Sequence, residues 1–141
     1  MNKKLFCIVS FIFILNLILP ASSMSQSGKP LKIISSWEVD LNNDSKTDIA
    51  QLVETSRDIE LIVLIKTSKG YNSYLVSTGK RGMNLSYHYG NSLTETNAGK
   101  GKNHGKVYKT PGVYLELSQP EGASVAYFWN GKGFTEVWIS D

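Results

Sequence analysis

From residue 31 onward the chain is written in short runs of alternating or continuous apolar residues, cut by turn-forming residues every eight to twelve positions or so. Leu31 to Val39 places Ile33, Ser35, Trp37 and Val39 on one face of an expected strand. Thr47 to Glu54 is bounded and short like a strand, although its alternation is imperfect. Ile59 to Lys66 follows the Arg57-Asp58 turn. Its centre, Leu61-Ile62-Val63-Leu64-Ile65, is apolar at consecutive positions, so this strand is expected to be central and covered on both faces. A helix competes here, but the run is short and rich in β-branched residues. Ser68-Lys69-Gly70 turns into Tyr71 to Thr78. Beyond Gly79 to Gly82, Met83 to Tyr89 reads as a further strand, and Gly90 to Gly105 as a polar, Gly-rich loop. Val107 to Lys109 and Val113 to Leu117 flank an expected Pro111-Gly112 turn, the latter alternating as an antiparallel strand with one wet face does. Ala123 to Trp129 and Phe134 to Ser140 surround Asn130-Gly131-Lys132-Gly133, and Asn-Gly is a strong hairpin signal. No stretch carries a helical period. The pattern predicts an all-β antiparallel sandwich or barrel-like meander of about eight short strands in one domain, 31–141.

The N-terminus differs in kind. Met1-Asn2-Lys3-Lys4 is basic, Leu5 to Leu19 is almost unbroken apolar sequence, and Pro20-Ala21-Ser22-Ser23 supplies small residues. This is the order of a secretory signal, and the apolar run is shorter than the roughly 20 residues a membrane span requires. Residues 1–23 are therefore expected to be removed, with Ser25 the alternative cut, leaving a polar lead-in at 24–30 and a periplasmic or secreted domain. Cys7 lacks the small residues of a lipobox before it and leaves with the signal, so the exported domain has no disulfide.

Removal also changes the charge. The whole chain carries a formal +3, but without Lys3 and Lys4 the balance is 13 basic to 12 acidic residues. Nucleic-acid binding needs a clustered basic surface, and this composition supplies none. The 118 residues left after a cut at Ser23 suffice for a core without staples.

One stretch points to a specific chemistry. Asp40-Leu41-Asn42-Asn43-Asp44-Ser45-Lys46-Thr47-Asp48 places side-chain oxygens at loop positions 1, 3, 5 and 9 and the Lys46 carbonyl at position 7. A short loop wraps a hard cation such as Ca²⁺ at this spacing, and three carboxylates so close repel one another without one. The competing reading is a polar turn, since Asp, Asn and Ser bond nearby backbone and tolerate left-handed conformations. Ser45 stands where an EF-hand has Gly, and Gln51 where it has a bidentate Glu, so the loop is not an EF-hand.

A calcium loop running directly into a strand resembles the D-x-[DN]-x-D-x-x-x-D-[IL] element of FG-GAP and VCBS repeats. Ala123 to Asp141 resembles the ending of small secreted bacterial proteins that carry one such element, and Thr96-Asn97-Ala98-Gly99-Lys100-Gly101 is similar to a Gly-rich loop in them. The resemblance implies a β fold, an exported location and structural Ca²⁺ at Asp40, Asn42, Asp44 and Asp48; it implies no activity. Only one copy is present, so no repeat array is expected.

Signals for catalysis are weak. Gly122-Ala123-Ser124-Val125-Ala126 lacks the last Gly of a nucleophile elbow and enters a strand where that motif opens a helix. Gly101 to Val107 is too short for a P-loop, and neither His88 nor His104 sits in a recognisable pattern with a nucleophile. The aromatic content says more. The exported part holds seven Tyr and three Trp but only Phe128 and Phe134, and Tyr and Trp join a flat apolar face to a polar tip, which suits binding. Tyr87, Tyr89, Trp129 and Trp138 are candidates for a platform that binds a glycan or an envelope protein; the alternative is that they flank a small β core. The expectation is a non-enzymatic exported domain that binds a protein partner in the manner of an inhibitor or immunity protein, with a glycan-binding module as the alternative.

Overall fold

The computed structural model describes residues 31–96, 105–120 and 122–140. The signal and lead-in, and the loop stretch that carries Lys100, Lys102 and His104, lie outside them. The described residues form eight strands: β1 (Lys32–Val39), β2 (Asp48–Glu54), β3 (Ile59–Thr67), β4 (Gly70–Gly79), β5 (Asn84–Thr94), β6 (Val107–Ser118), β7 (Ser124–Trp129) and β8 (Phe134–Ser140). They make two antiparallel four-stranded meanders, β1-β2-β3-β4 and β5-β6-β7-β8, stacked as a sandwich. No helix occurs among the described residues.

Period-two alternation decides what is buried. Leu52, Leu61, Val63 and Ile65 of the first sheet meet Leu85, Val113, Leu115, Leu117, Val125 and Tyr127 of the second. Leu61, Val63 and Leu115 are fully buried, and side chains of this kind stabilise by about 1.5–3 kcal/mol each. The Tyr127 hydroxyl reaches across the sheet interface to Ser77 Oγ at 2.9 Å and also lies 3.2 Å from Glu136 Oε2, its cross-strand neighbour on β8 of the same sheet. Burial pushes the Tyr127 phenol up to about 12. At the β1–β5 edge the Trp37 indole N–H donates to the Leu85 carbonyl at 2.9 Å, a second tie between the sheets.

Two expectations are corrected. Pro111-Gly112 does not reverse the chain: both residues lie inside β6, which runs unbroken from Val107 to Ser118, and β5 extends to Thr94 through sequence expected to be loop. The register slips between Gly90 and Ser92, with Gly90 opposite Gly112. Gly112 has φ 109°, and a Cβ on Gly90 would sit 3.2 Å from the Tyr114 ring. The residues that mark a turn in sequence are also those a bulge requires, because Pro lacks a ladder donor and Gly takes the backbone that other residues avoid. Past this bulge the Thr96 amide bonds the Trp138 carbonyl at 2.8 Å. Leu93 and Tyr108 pack with Ala126, Phe128 and Val137 in a second, smaller core on the outer face of the second sheet.

The other correction concerns β3. It is central, between β2 and β4, but among the described residues only one of its faces meets the other sheet. Leu61, Val63 and Ile65 point inward, while Ile62 and Leu64 are half-buried on the outer face, beside Leu75, which is 62% exposed. Among the described residues no further strand or helix is layered over this face, although Val53 of β2, opposite Glu60, is buried at 3% exposure by its neighbours. Continuous apolar sequence does not distinguish a strand covered twice from one whose outer face is apolar and open.

This division sets the cost of truncation. Leu61→Ala should destabilise by about 2–5 kcal/mol, the range for opening a cavity in a packed core, whereas Val107→Ala, at a position 62% exposed, should stay within about 0.5 kcal/mol. Urea denaturation of both variants checks the difference, and similar losses would contradict the assigned core.

Candidate functional site

Leu41 anchors the loop between β1 and β2, fully buried in the main core while its polar neighbours remain outside. The loop wraps around its own amides. Asp40 Oδ1 accepts from the Asp44 amide at 3.1 Å and Oδ2 from the Ser45 amide at 2.7 Å. Asn42 Oδ1 also accepts from the Asp44 amide at 3.1 Å. Asn43 and Ser45 adopt left-handed backbone, with φ of 59° and 64°. Ser45 thus takes the conformation usually given to Gly at this position, at some local cost that the Asp40 bond helps offset.

Asp44 turns to Lys46: its Oδ1 accepts the Lys46 amide and its Oδ2 meets the Lys46 ammonium, both at 2.9 Å. The hydrogen bond from that ammonium is the main reason the Asp44 carboxyl titrates below its ordinary value. Asp48 behaves differently from the other three. It is fully buried at the start of β2, with Oδ2 accepting the Leu41 amide at 2.9 Å and Oδ1 accepting the Lys66 amide at 2.7 Å. Burial pushes its carboxyl up, the Lys66 and Leu41 amides pull it down, and the negative charges of Asp40 and Asp44 add to the upward push.

The donors fit a hard cation in kind and in order, since Asp40, Asn42, Asp44 and Asp48 all offer oxygen. They fit less well in convergence. No three His, Cys, Asp or Glu side chains among the described residues gather as a metal-ligand group. Lys46 partly neutralises Asp44 from within the loop, and Asp48 spends an oxygen on each of two amides.

The four candidate platform residues all sit on the core-facing side of the second sheet, but in three separate groups. Tyr87 stacks edge-on against Trp37 at 5.2 Å and against Tyr89 at 5.8 Å, with interplanar angles of 66° and 86°. Tyr89 ends this row, 76% exposed. Trp129 belongs to a different cluster, with Tyr74 at 5.3 Å and Phe134 at 5.4 Å. Trp138 packs on the main core and donates its indole N–H to Glu136 Oε1 at 3.2 Å. Trp37 is the member absent from the sequence-derived set. Its place on one face of the first strand was visible, but its pairing with Tyr87 depends on how the sheets stack.

On the opposite side of the second sheet, Ser86, His88 and Glu116 meet. Ser86 Oγ lies 3.0 Å and Glu116 Oε2 2.9 Å from His88, and both contacts fall on Nε2. A catalytic relay needs the serine at one ring nitrogen and the carboxylate at the other. This trio does not form one. His88 instead stacks on Tyr114, with ring centroids 5.4 Å apart.

Asp48 should therefore matter more to folding than any other loop oxygen. Asp48→Ala strands two amides, each worth about 1–3 kcal/mol when buried without a partner, and should cost about 2–4 kcal/mol. Asp48→Asn keeps one acceptor and should cost less. The exposed Asp44→Ala should cost about 1 kcal/mol or less. The pH signs oppose. A raised Asp48 favours the folded state below its ordinary value of 3.8, a contribution lost as pH rises through the folded value. A lowered Asp44 favours the folded state above 3.8, a contribution lost as pH falls through its folded value. Urea titrations of the variants between acid and neutral pH read all of these terms; an Asp48→Ala loss no larger than that of Asp44→Ala would remove Asp48 as the anchor.

The chain matches no family model, no curated protein and no solved structure, so the site's own geometry carries its functional reading.

Proposed function

We propose that this is an exported, non-enzymatic β-sandwich that acts by binding a protein partner in the cell envelope, in the manner of an inhibitor or immunity protein, with the 40–48 loop as a structural Ca²⁺ site. The observation that carries the binding reading is the Trp37–Tyr87–Tyr89 row, which ends in a ring 76% exposed at the edge where the two sheets meet. Steep angles between successive rings make a ridged anchor, of the kind that inserts into a partner's pocket, and leave no shared flat face for a sugar. A glycan-binding module is the second reading, supported by the single open Tyr89 ring. Export rests on the basic start and apolar run of residues 1–23.

In the loop, Asp40, Asn42, Asp44, Asp48 and the Lys46 carbonyl would hold the ion, which would supply charge neutralisation and a fixed turn between β1 and β2. Competition from the Lys46 ammonium, the Ser at position 6 and the missing bidentate Glu all weaken the site. An affinity of about 10⁻⁴ M, as in extracellular modules, follows.

At about 1 mM Ca²⁺ such a site stabilises by roughly 1.4 kcal/mol. The melting temperature of the wild type should rise from EDTA to millimolar Ca²⁺, while Asp44→Ala should stay folded and lose the response; Mg²⁺ should help less. Identical wild-type melts, with no calcium seen by calorimetry, would leave the loop a polar turn.

The binding reading is checked with protein purified from the envelope, whose intact mass should begin near Met24 or Gln26. Immobilised wild type should retain one envelope protein that Tyr89→Ala, a surface change with little effect on folding, releases. Retention of nothing, or equal retention by Tyr89→Ala, counts against it, and glycan-array binding lost in the same variant would favour the second reading.

A further inference from the structure

The outer face of the first sheet, over which no described strand or helix is layered, carries an order of charges that fits a second copy of itself. Along β3 the outward positions are Glu60, Ile62, Leu64 and Lys66, since Leu61, Val63 and Ile65 fill the core. Read in either direction this is a charge, two apolar residues and the opposite charge. Cross-strand register places Val53, Gln51 and Ile49 of β2 opposite Glu60, Ile62 and Leu64 on one side, Val53 being already buried within the monomer. On the other side Thr78, Leu75, Ser73 and Tyr71 of β4 oppose Glu60, Ile62, Leu64 and Lys66. The Lys66 ammonium lies over the Tyr71 ring, 4.3 Å from its centroid, and so stays on this face. Glu60 makes no ion pair among the described residues.

We propose that the protein forms a twofold dimer by packing this face against the same face of a second copy. The axis lies in the interface, perpendicular to the strands, and passes between Ile62 and Leu64. It brings β3 antiparallel over β3 of the partner, so Ile62 of one copy meets Leu64 of the other. Glu60 meets Lys66 twice, once on each side of the axis, as an isologous interface requires. Twisted sheets stack in this aligned manner about 10 Å apart. Leu75 and Tyr71, 62% and 43% exposed, lose water at the flank. The two outer faces diverge for a physical reason: the second sheet covers its own with the end of the β5–β6 hairpin, and the first sheet has no described segment to do the same. A foreign partner would need no such self-complementary order.

The test is sedimentation equilibrium of the exported protein from micromolar to millimolar concentration, with thermal melts as a folding control. The expected result is a monomer–dimer equilibrium. Glu60→Lys and Lys66→Glu each set like charges together twice and should weaken the dimer about tenfold or more. The double exchange Glu60→Lys/Lys66→Glu restores both pairs and should recover dimerisation. Leu75→Ser, at an exposed position that does not endanger the fold, should weaken it severalfold. A monomer at every concentration overturns the proposal. So does a dimer indifferent to Leu75→Ser and to the single reversals, or a folded double variant that stays as weak as the singles.

Discussion

Each four-stranded meander has a continuous apolar face that it cannot hide alone, and the remaining structure follows from hiding those two faces against one another. Leu52, Leu61 and Val63 on one side and Leu115, Leu117 and Val125 on the other supply the apolar burial. This term is non-directional and accepts many relative placements of two sheets. Directional bonds narrow the choice. The Trp37 indole reaches the Leu85 carbonyl at one edge, and the Tyr127 hydroxyl reaches Ser77 within the interface. A buried hydrogen bond contributes modestly when made but costs more when broken, so such contacts specify the stacking more than they drive it.

The β1–β2 loop shows the same division of labour at smaller scale. Leu41 holds it to the core by burial, and Asp48 holds it by direction, joining its amide and that of Lys66 on β3. A carboxylate that satisfies two amides can stay ionised in a buried position, where an unpaired one is pushed toward neutrality. The outward loop is organised by different forces, an Asx-type network around Asp40 and Asn42 and an internal Lys46 cation on Asp44. Proximity of Asp40 and Asp44 to Asp48 leaves negative charge crowded at the end of the first sheet. That crowding favours a bound cation, and the amides and Lys46 already answer part of it.

The aromatic residues divide between structure and surface according to where sheet stacking leaves them. Trp129, Tyr74 and Phe134 seal the sandwich near the β7–β8 turn, and Trp138 lies on the core, bonded to Glu136. Among the described residues the Trp37–Tyr87–Tyr89 row lies along the sheet edge, with the half-buried Tyr87 between two exposed rings, Trp37 at 39% and Tyr89 at 76%. The edge-on contacts of Tyr87 with both neighbours, and the Trp37 bond to the Leu85 carbonyl, fix the order of the row. Ser86, His88 and Glu116 show the reverse. Neighbouring outward positions on paired strands bring chemically suggestive side chains together, with one ring nitrogen serving both contacts.

The sequence by itself marked most of the strands, the hairpin at Asn130-Gly131 and the all-β class, because alternation and turn residues are local signals written within a few positions. It also marked the oxygens of Asp40, Asn42, Asp44 and Asp48, whose spacing is a property of one short segment. It did not separate Asp48, whose second partner is the Lys66 amide 18 residues away. Nor did it show that Pro111-Gly112 bends a strand: turn and bulge use the same residues, and only the register against Gly90 tells them apart. Periodicity states which residues share a face but not what lies opposite it. Tertiary structure alone therefore decided that Trp37 joins Tyr87, that Trp129 and Trp138 are apart, and that Ile62 and Leu64 face outward, with no further layer of described strands or helices over them.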